Sequence, residues 1–420
     1  MTGRDHYVFP KDFLWGSATS GHQVEGNNIN TEGWVLEHLP NTHYAEPSGD
    51  ACDHYHRYPK DIALLAELGF NSYRLSIEWA RIEPEEGEFS NAALDHYRRM
   101  LATCHEHGIQ PAVTFHHFTS PRWLHRYGGW LDDKTPERFA RFCEKAAAHL
   151  GDLISLACTL NEPNIAAVLS YLLPFRIRDG AWWDDAARAL GTSPDRLGLF
   201  QYVTDPHMRD VILAAHRRAS DVLHAGPGDF PVGLTLALHD FQAAEGGEEK
   251  MAEYRHGMAD IYLEQLRDDD FVGVQNYGRM VVGPEGRVKP AAGAEVNQMG
   301  EEFYPQGLGG AIRLAAQVAG VPIYVTENGM ATEDDSRRLA YFKGALNSMA
   351  DCIKEGIDVR GYFAWSAFDN FEWVFGYGPK FGIIAVDRKT QERTPKPSAY
   401  WLGNVARNNA LPTDWTARES

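Results

Sequence analysis

Eight short, nearly uninterrupted apolar runs recur along the chain, each followed by a longer amphipathic stretch, and this rhythm constrains the fold more than any other feature. They are FLWGSAT (13–19), SYRLSIEW (72–79), PAVTFHH (111–117), LISLACTL (153–160), VGLTLAL (232–238), FVGVQNY (271–277), PIYVTEN (322–328) and GYFAWSAF (361–368). Runs without polar alternation belong to strands buried on both faces, as in a parallel sheet covered by helices. Helical candidates lie between them at 91–107, 136–150, 207–224, 250–267 and 336–355. Ser90 is placed to cap the first of these, and Thr135 with Pro136 to open the second. Gly69, Gly108, Gly320 and Gly356 each separate a helical stretch from the next run, the position after a helix that favours glycine. Eight strand–helix alternations predict a single α/β domain over residues 1–420, a (β/α)8 TIM barrel with elaborated βα loops. A doubly wound open sheet would carry a Gly-rich phosphate turn after its first strand, and none is present.

Composition narrows the partners. A net charge of −18 opposes binding to nucleic acid or an anionic membrane, which leaves a small neutral molecule as the expected substrate. The five cysteines (52, 104, 143, 158 and 352) include no C-x-x-C pair, so they are expected as buried thiols rather than as a disulfide framework or a zinc site. No signal peptide or spanning apolar run is readable, so a cytoplasmic location is the default expectation. The sequence leaves the oligomeric state open.

In such a barrel the active site lies at the C-terminal ends of the strands. There the runs end on Gln23 with Glu25, Glu78 with Trp79, His116 with His117, Asn161 with Glu162, His239 with Asp240, Asn276 with Tyr277, Glu327 with Asn328, and Trp365 with Asp369 and Glu372. These are expected to line one face. Glu162 ends the fourth run and Glu327 the seventh, so in a closed ring of eight they would meet across the mouth. Two such carboxyls can cleave an acetal, one protonated to serve the leaving oxygen and one ionised to attack or to activate water. Spacing along the chain does not decide between retention and inversion. Of His116 and His117 only one should enter the site, because neighbours on a strand face opposite ways. Trp365 and Trp373 offer flat faces for a sugar ring. Glu83, Glu85, Glu86 and Glu88 are expected as solvated surface charges. The stretch 162–206, with Pro174, Arg176, Arg178, Trp182 and Trp183, reads as an elaborated loop over the active-site face, and the tail after Asn408 as a frayed end.

Six segments in order resemble glycoside hydrolase family 1, the β-glucosidase family: FPKDFLWGSAT with HQVEG (9–26), YRLSIEWARIEP (73–84), VTFHHF (113–118), TLNEP (159–163), YVTENG (324–329) and WSAFDNFEWVFGY (365–377). The resemblance implies a retaining, exo-acting β-glycosidase with no metal or cofactor. Glu162 looks like the acid/base and Glu327 like the nucleophile. Arg74 and Tyr277 would hydrogen-bond the nucleophile, and Asn161 the sugar hydroxyl beside the anomeric carbon. Gln23, His117, Glu372 and Trp373 would read the other hydroxyls over a floor formed by Trp365. The family's phosphoglycosidases alter the Glu-Trp pair and its thioglucosidases lack the acid/base, whereas Glu372, Trp373 and Glu162 all stand here. Departures are Phe118 to Pro121 in place of Trp-Asp-Leu-Pro, Gln275-Asn276-Tyr277 in place of Asn-Tyr-Tyr, and the unplaced segment 164–204.

Overall fold

The computed structural model describes residues 7–173 and 180–412. Eight parallel strands close into a barrel: β1 (Leu14–Ala18), β2 (Ser72–Ser76), β3 (Gln110–His116), β4 (Leu156–Asn161), β5 (Val232–Ala237), β6 (Phe271–Asn276), β7 (Ile323–Asn328) and β8 (Val359–Trp365). Each pairs with its neighbours in chain order, and β1 closes on β8 with Trp15 opposite Tyr362. Each of the eight apolar runs overlaps one of these strands, as strands covered on both faces require.

Leu14, Ala112, Leu156, Phe271, Tyr324 and Phe363 pack together inside the barrel. The outer layer includes α1 (His54–Leu68), α2 (Asn91–Glu106), α3 (Thr135–Leu150), α4 (Pro206–Ala225), α5 (Gly307–Val318), α6 (Asp335–Lys354) and α7 (Pro397–Asn408). The Ser90 hydroxyl accepts from Ala93 N at 3.2 Å and so caps α2. Thr135 does not cap α3: it lies inside the helix, and its hydroxyl donates to the Gly129 carbonyl at 2.7 Å.

The stretch 250–267 is not one regular helix. It runs Glu248–Arg255, then a π turn His256–Asp260, then two short pieces to Leu266. The turn's Met258 carbonyl accepts a hydrogen bond from Asn164 Nδ2 at 2.8 Å, the kind of outside partner a wider turn admits. A small sheet (Asp240–Ala243, Arg279–Gly283, Gly286–Arg287), absent from the eight runs, sits beside it. Glu83 is buried, not solvated: it accepts from Trp79 Nε1 at 2.7 Å and pairs with Arg141, while Glu85, Glu86 and Glu88 are exposed. Nor does the chain fray at Asn408. Asn409 accepts from Trp15 Nε1 at 2.9 Å, and Leu411 is buried. Residues 413–420, and Pro174, Arg176 and Arg178 of the long loop, lie outside the described residues. Among the described residues no helix is long and apolar enough to cross a membrane.

Candidate active site

One cavity opens where the strands end, and Gln23, His117, Glu162, Tyr277, Glu327, Trp365, Glu372 and Trp373 all line it. Arg74 and Asn161 stand beneath, fully buried. Arg74 points into the barrel from β2 and spreads its donors over three other strands. Nη1 reaches Glu327 Oε1 at 2.6 Å, Nη2 reaches Asn161 Oδ1 at 2.5 Å, and Nε reaches Thr114 Oγ1 at 3.1 Å. Glu327 is therefore paired with a cation, supplied from a strand far away in sequence. The Tyr277 hydroxyl donates to the other oxygen, Oε2, at 2.6 Å.

Arginine has only donors, so the Asn161 atom facing it must be the amide oxygen. That oxygen also accepts from Gln275 Nε2 at 2.9 Å and Thr235 Oγ1 at 3.2 Å. The amide nitrogen, Nδ2, is buried with no hydrogen-bond partner among the described residues. A buried donor without an acceptor costs roughly 1–3 kcal/mol, which a ligand hydroxyl could recover.

Local backbone irregularity aims both carboxyls. Thr326 packs beside Gly273 inside the barrel, so simple alternation would turn Glu327 outward. The pairing of β7 with β6 slips between Val325 and Glu327, and that of β4 with β5 slips between Cys158 and Asn161. Such slips re-aim side chains at barrel rims. Glu162, just past β4, takes a left-handed φ of 46°, and Phe118 and Trp373 do likewise at 69° and 50°. Non-glycine residues in that region cluster at ligand sites, where the surroundings hold them.

The two carboxyls sit in unlike surroundings. Burial, with the Glu327 charge added, holds the Glu162 carboxyl well above the usual carboxylate range. Burial raises Glu327 too, but the Arg74 guanidinium and hydrogen bonds from Tyr277, Arg74 and Gln275 pull it back. These surroundings favour the protonated form at Glu162 more than at Glu327. Glu372 is pushed up to about 8 by burial and then by the Glu327 charge. Burial, then Arg74 and His116, drives His117 well below its usual value, so its ring is neutral and can both donate and accept.

The polar and aromatic groups of the lining are held in turn. Gln23 accepts from Ser20 Oγ at 2.8 Å and donates to the Phe371 carbonyl at 2.7 Å and Glu372 Oε2 at 3.3 Å. The His117 ring lies nearly parallel to Trp365, 5.7 Å between centroids, and Trp373 stacks on His22 at 5.5 Å.

Not every polar residue at a strand end reaches the cavity. His116 turns away, 3.0 Å from Ser120 Oγ. Glu25 and Glu78 are buried behind the wall, Asp369 pairs with Lys396, and Asn276 and Asn328 tie loops and strands together. The expectation of one continuous polar face was too broad, because a strand end also has to satisfy its own loop. His239 does line the cavity. Sequence reasoning missed the role of Gln275, which stood out only as a departure, and it did not single out Ile165, Val168 and Leu169 within the apolar stretch that follows Glu162.

The chain matches the family model for Glycosyl hydrolase family 1 over residues 5–280 and 286–411. It is 32% identical to Beta-glucosidase A of Acetivibrio thermocellus, covering 96% of this chain and 99% of that one. The solved structure of beta-glycosidase BGL167 superposes with a TM-score of 0.93 at 57% identity, covering 97% of this chain and 99% of that one. The apo structure of beta-glucosidase 1317 gives 0.88 at 45%, covering 96% and 100%.

Proposed function

The chain belongs to glycosyl hydrolase family 1, and on that premise we propose residue roles for a retaining β-glucosidase that releases the nonreducing terminal sugar. Its class is that of an O-glycosyl hydrolase on a (β/α)8 barrel. The observation that carries the roles is the contrast between two neighbouring carboxyls: Glu327 gripped by Arg74 and Tyr277, Glu162 with its proton retained by burial.

In the first step Glu327 attacks the anomeric carbon while Glu162 gives its proton to the departing oxygen, leaving a covalent glycosyl ester. The charge on Glu327 is then gone, so the repulsion that helped keep Glu162 protonated is gone too. Glu162 can now act as base, taking a proton from water as that water attacks the same carbon. Two inversions give net retention. Asn161 Nδ2 is assigned to the sugar hydroxyl next to the anomeric carbon, where its hydrogen bond strengthens as positive charge develops. Gln23, His117, Glu372 and Trp373 take the remaining hydroxyls, with Trp365 beneath the ring.

A glucose preference is favoured by the names of the relatives and by the intact Glu372 and Trp373. A phosphorylated sugar would meet the Glu372 carboxyl, which is repulsive once that group ionises. The test is hydrolysis of aryl β-glucoside, β-galactoside, β-fucoside, β-mannoside and 6-phospho-β-glucoside, with NMR of the first sugar released. Fastest cleavage of the glucoside with β-glucose appearing first is expected. Release of the α-anomer would overturn the two-step reading, and preference for another sugar would overturn the specificity.

A further inference from the structure

Glu372 and Trp373 are both met by one short helix from near the other end of the chain, Gly21–Val24. Gln23 lines the cavity and reaches Glu372, whereas His22 is fully buried and stands outside the lining. From there its ring stacks on the Trp373 indole, 5.5 Å between centroids and 6° between planes. Two consecutive residues thus hold two consecutive residues. The His22 ring has little freedom of its own. Nε2 donates to Glu37 Oε1 at 2.6 Å, and Asn28 Nδ2, which donates to Glu78 Oε2 at 2.8 Å, lies 3.3 Å from Nδ1. Glu37 Oε2 in turn accepts from Ser48 N and Ser48 Oγ, each at 2.8 Å. Partners at both nitrogens fix the plane of the imidazole, and with it the plane against which the indole packs. Trp373 needs such backing, because a bulky residue at a left-handed φ of 50° persists only where its neighbours impose that conformation.

We propose that His22 is a positioning residue for the sugar-binding wall: its ring sets the Trp373 indole at the cavity, and Glu37 sets the ring. The inference rests on the reading of Trp373 as a residue that contacts the sugar. A buried histidine that served the core alone would tie activity to stability. A positioning ring separates the two, because its flat face serves Trp373 while its N–H serves Glu37.

The test uses His22→Gln, whose amide can still donate to Glu37 but offers no ring, and His22→Phe, which keeps a ring and abandons Glu37. The glutamine variant should lose about three- to tenfold in kcat/KM for nitrophenyl β-glucoside, the worth of an aromatic stack. The phenylalanine variant should have the lower thermal midpoint of the two, since a buried carboxylate loses a hydrogen bond, yet the higher kcat/KM. In a Trp373→Ala background His22→Gln should cost less than about twofold, because the residue it acts through is gone. This cycle decides alone if the phenylalanine variant does not fold. Activity that falls in step with the midpoint across the two variants, or an equal loss in both backgrounds, would overturn the inference and leave the glucosidase reading standing. Full activity of Trp373→Ala itself would overturn both the inference and the sugar-contacting role of Trp373.

Discussion

Arg74 acts at the residue scale as a single buried cation shared between a carboxylate and an amide. Its contact with Glu327 stabilises the ionised form of that side chain, and its contact with Asn161 fixes which end of the amide faces the cavity. Glu162 lies outside this cluster of donors, and in the proposed mechanism this difference in environment divides the labour between two otherwise identical side chains. Glu162→Ala should therefore lower kcat/KM by about 10²–10⁴-fold for substrates with a poor leaving group, and much less for a nitrophenyl glucoside that needs little proton donation. The alkaline limb of the pH profile should vanish with it. Steady-state kinetics on the two substrate types checks this, and equal losses on both would remove Glu162 from the acid role.

At the scale of elements, the site depends on where strand regularity fails. The eight strands were legible because burial on both faces leaves apolar runs, and their ends were legible because polar residues follow those runs directly. What periodicity could not show was the slip before Glu327, since a bulge leaves no mark in a run of six residues. Nor does periodicity pair Arg74 with Glu327, a contact between β2 and β7 across the barrel that only the family resemblance implied. The helix Ile165–Leu172 was lost inside a loop because it is short and apolar nearly all round, so no polar face marked it. Gly329 illustrates the tolerance at these ends. A Cβ there would collide with the Trp365 carbonyl oxygen, backbone that cannot swing aside. Gly329→Ala should cost about 1–3 kcal/mol in urea denaturation and should also lower activity, because the shift displaces Trp365 or Glu327. Unchanged stability and kinetics would show that β7 and β8 need not approach so closely.

For the whole molecule, function requires several carboxyls to be buried within one chain of net charge −18. Burial and the Glu25 charge push Glu78 up to about 7, and Glu372 stands at about 8. Folded values above the ordinary 4.5 mean that the native state holds these protons more tightly than the unfolded chain. Their stabilising contribution is full below the ordinary value and is lost as the pH rises through about 7 to 8. Glu37 and Asp61 have lowered values and act oppositely, losing their contribution as the solution becomes acidic. The thermal midpoint should therefore peak in mildly acidic solution and fall by several degrees toward about pH 8.5, with Glu78→Gln reducing that fall. A midpoint rising steadily to pH 8.5 would contradict this account. The most direct test of the central claim uses the intact enzyme with 2-deoxy-2-fluoro-β-glucosyl fluoride. Its fluorine at C2 disfavours the positively charged transition states, while its good leaving group still permits the first step. The account predicts inactivation with one fluoroglucosyl group per chain, located by peptide mass spectrometry on Glu327. Inactivation with the label on any other residue would contradict it.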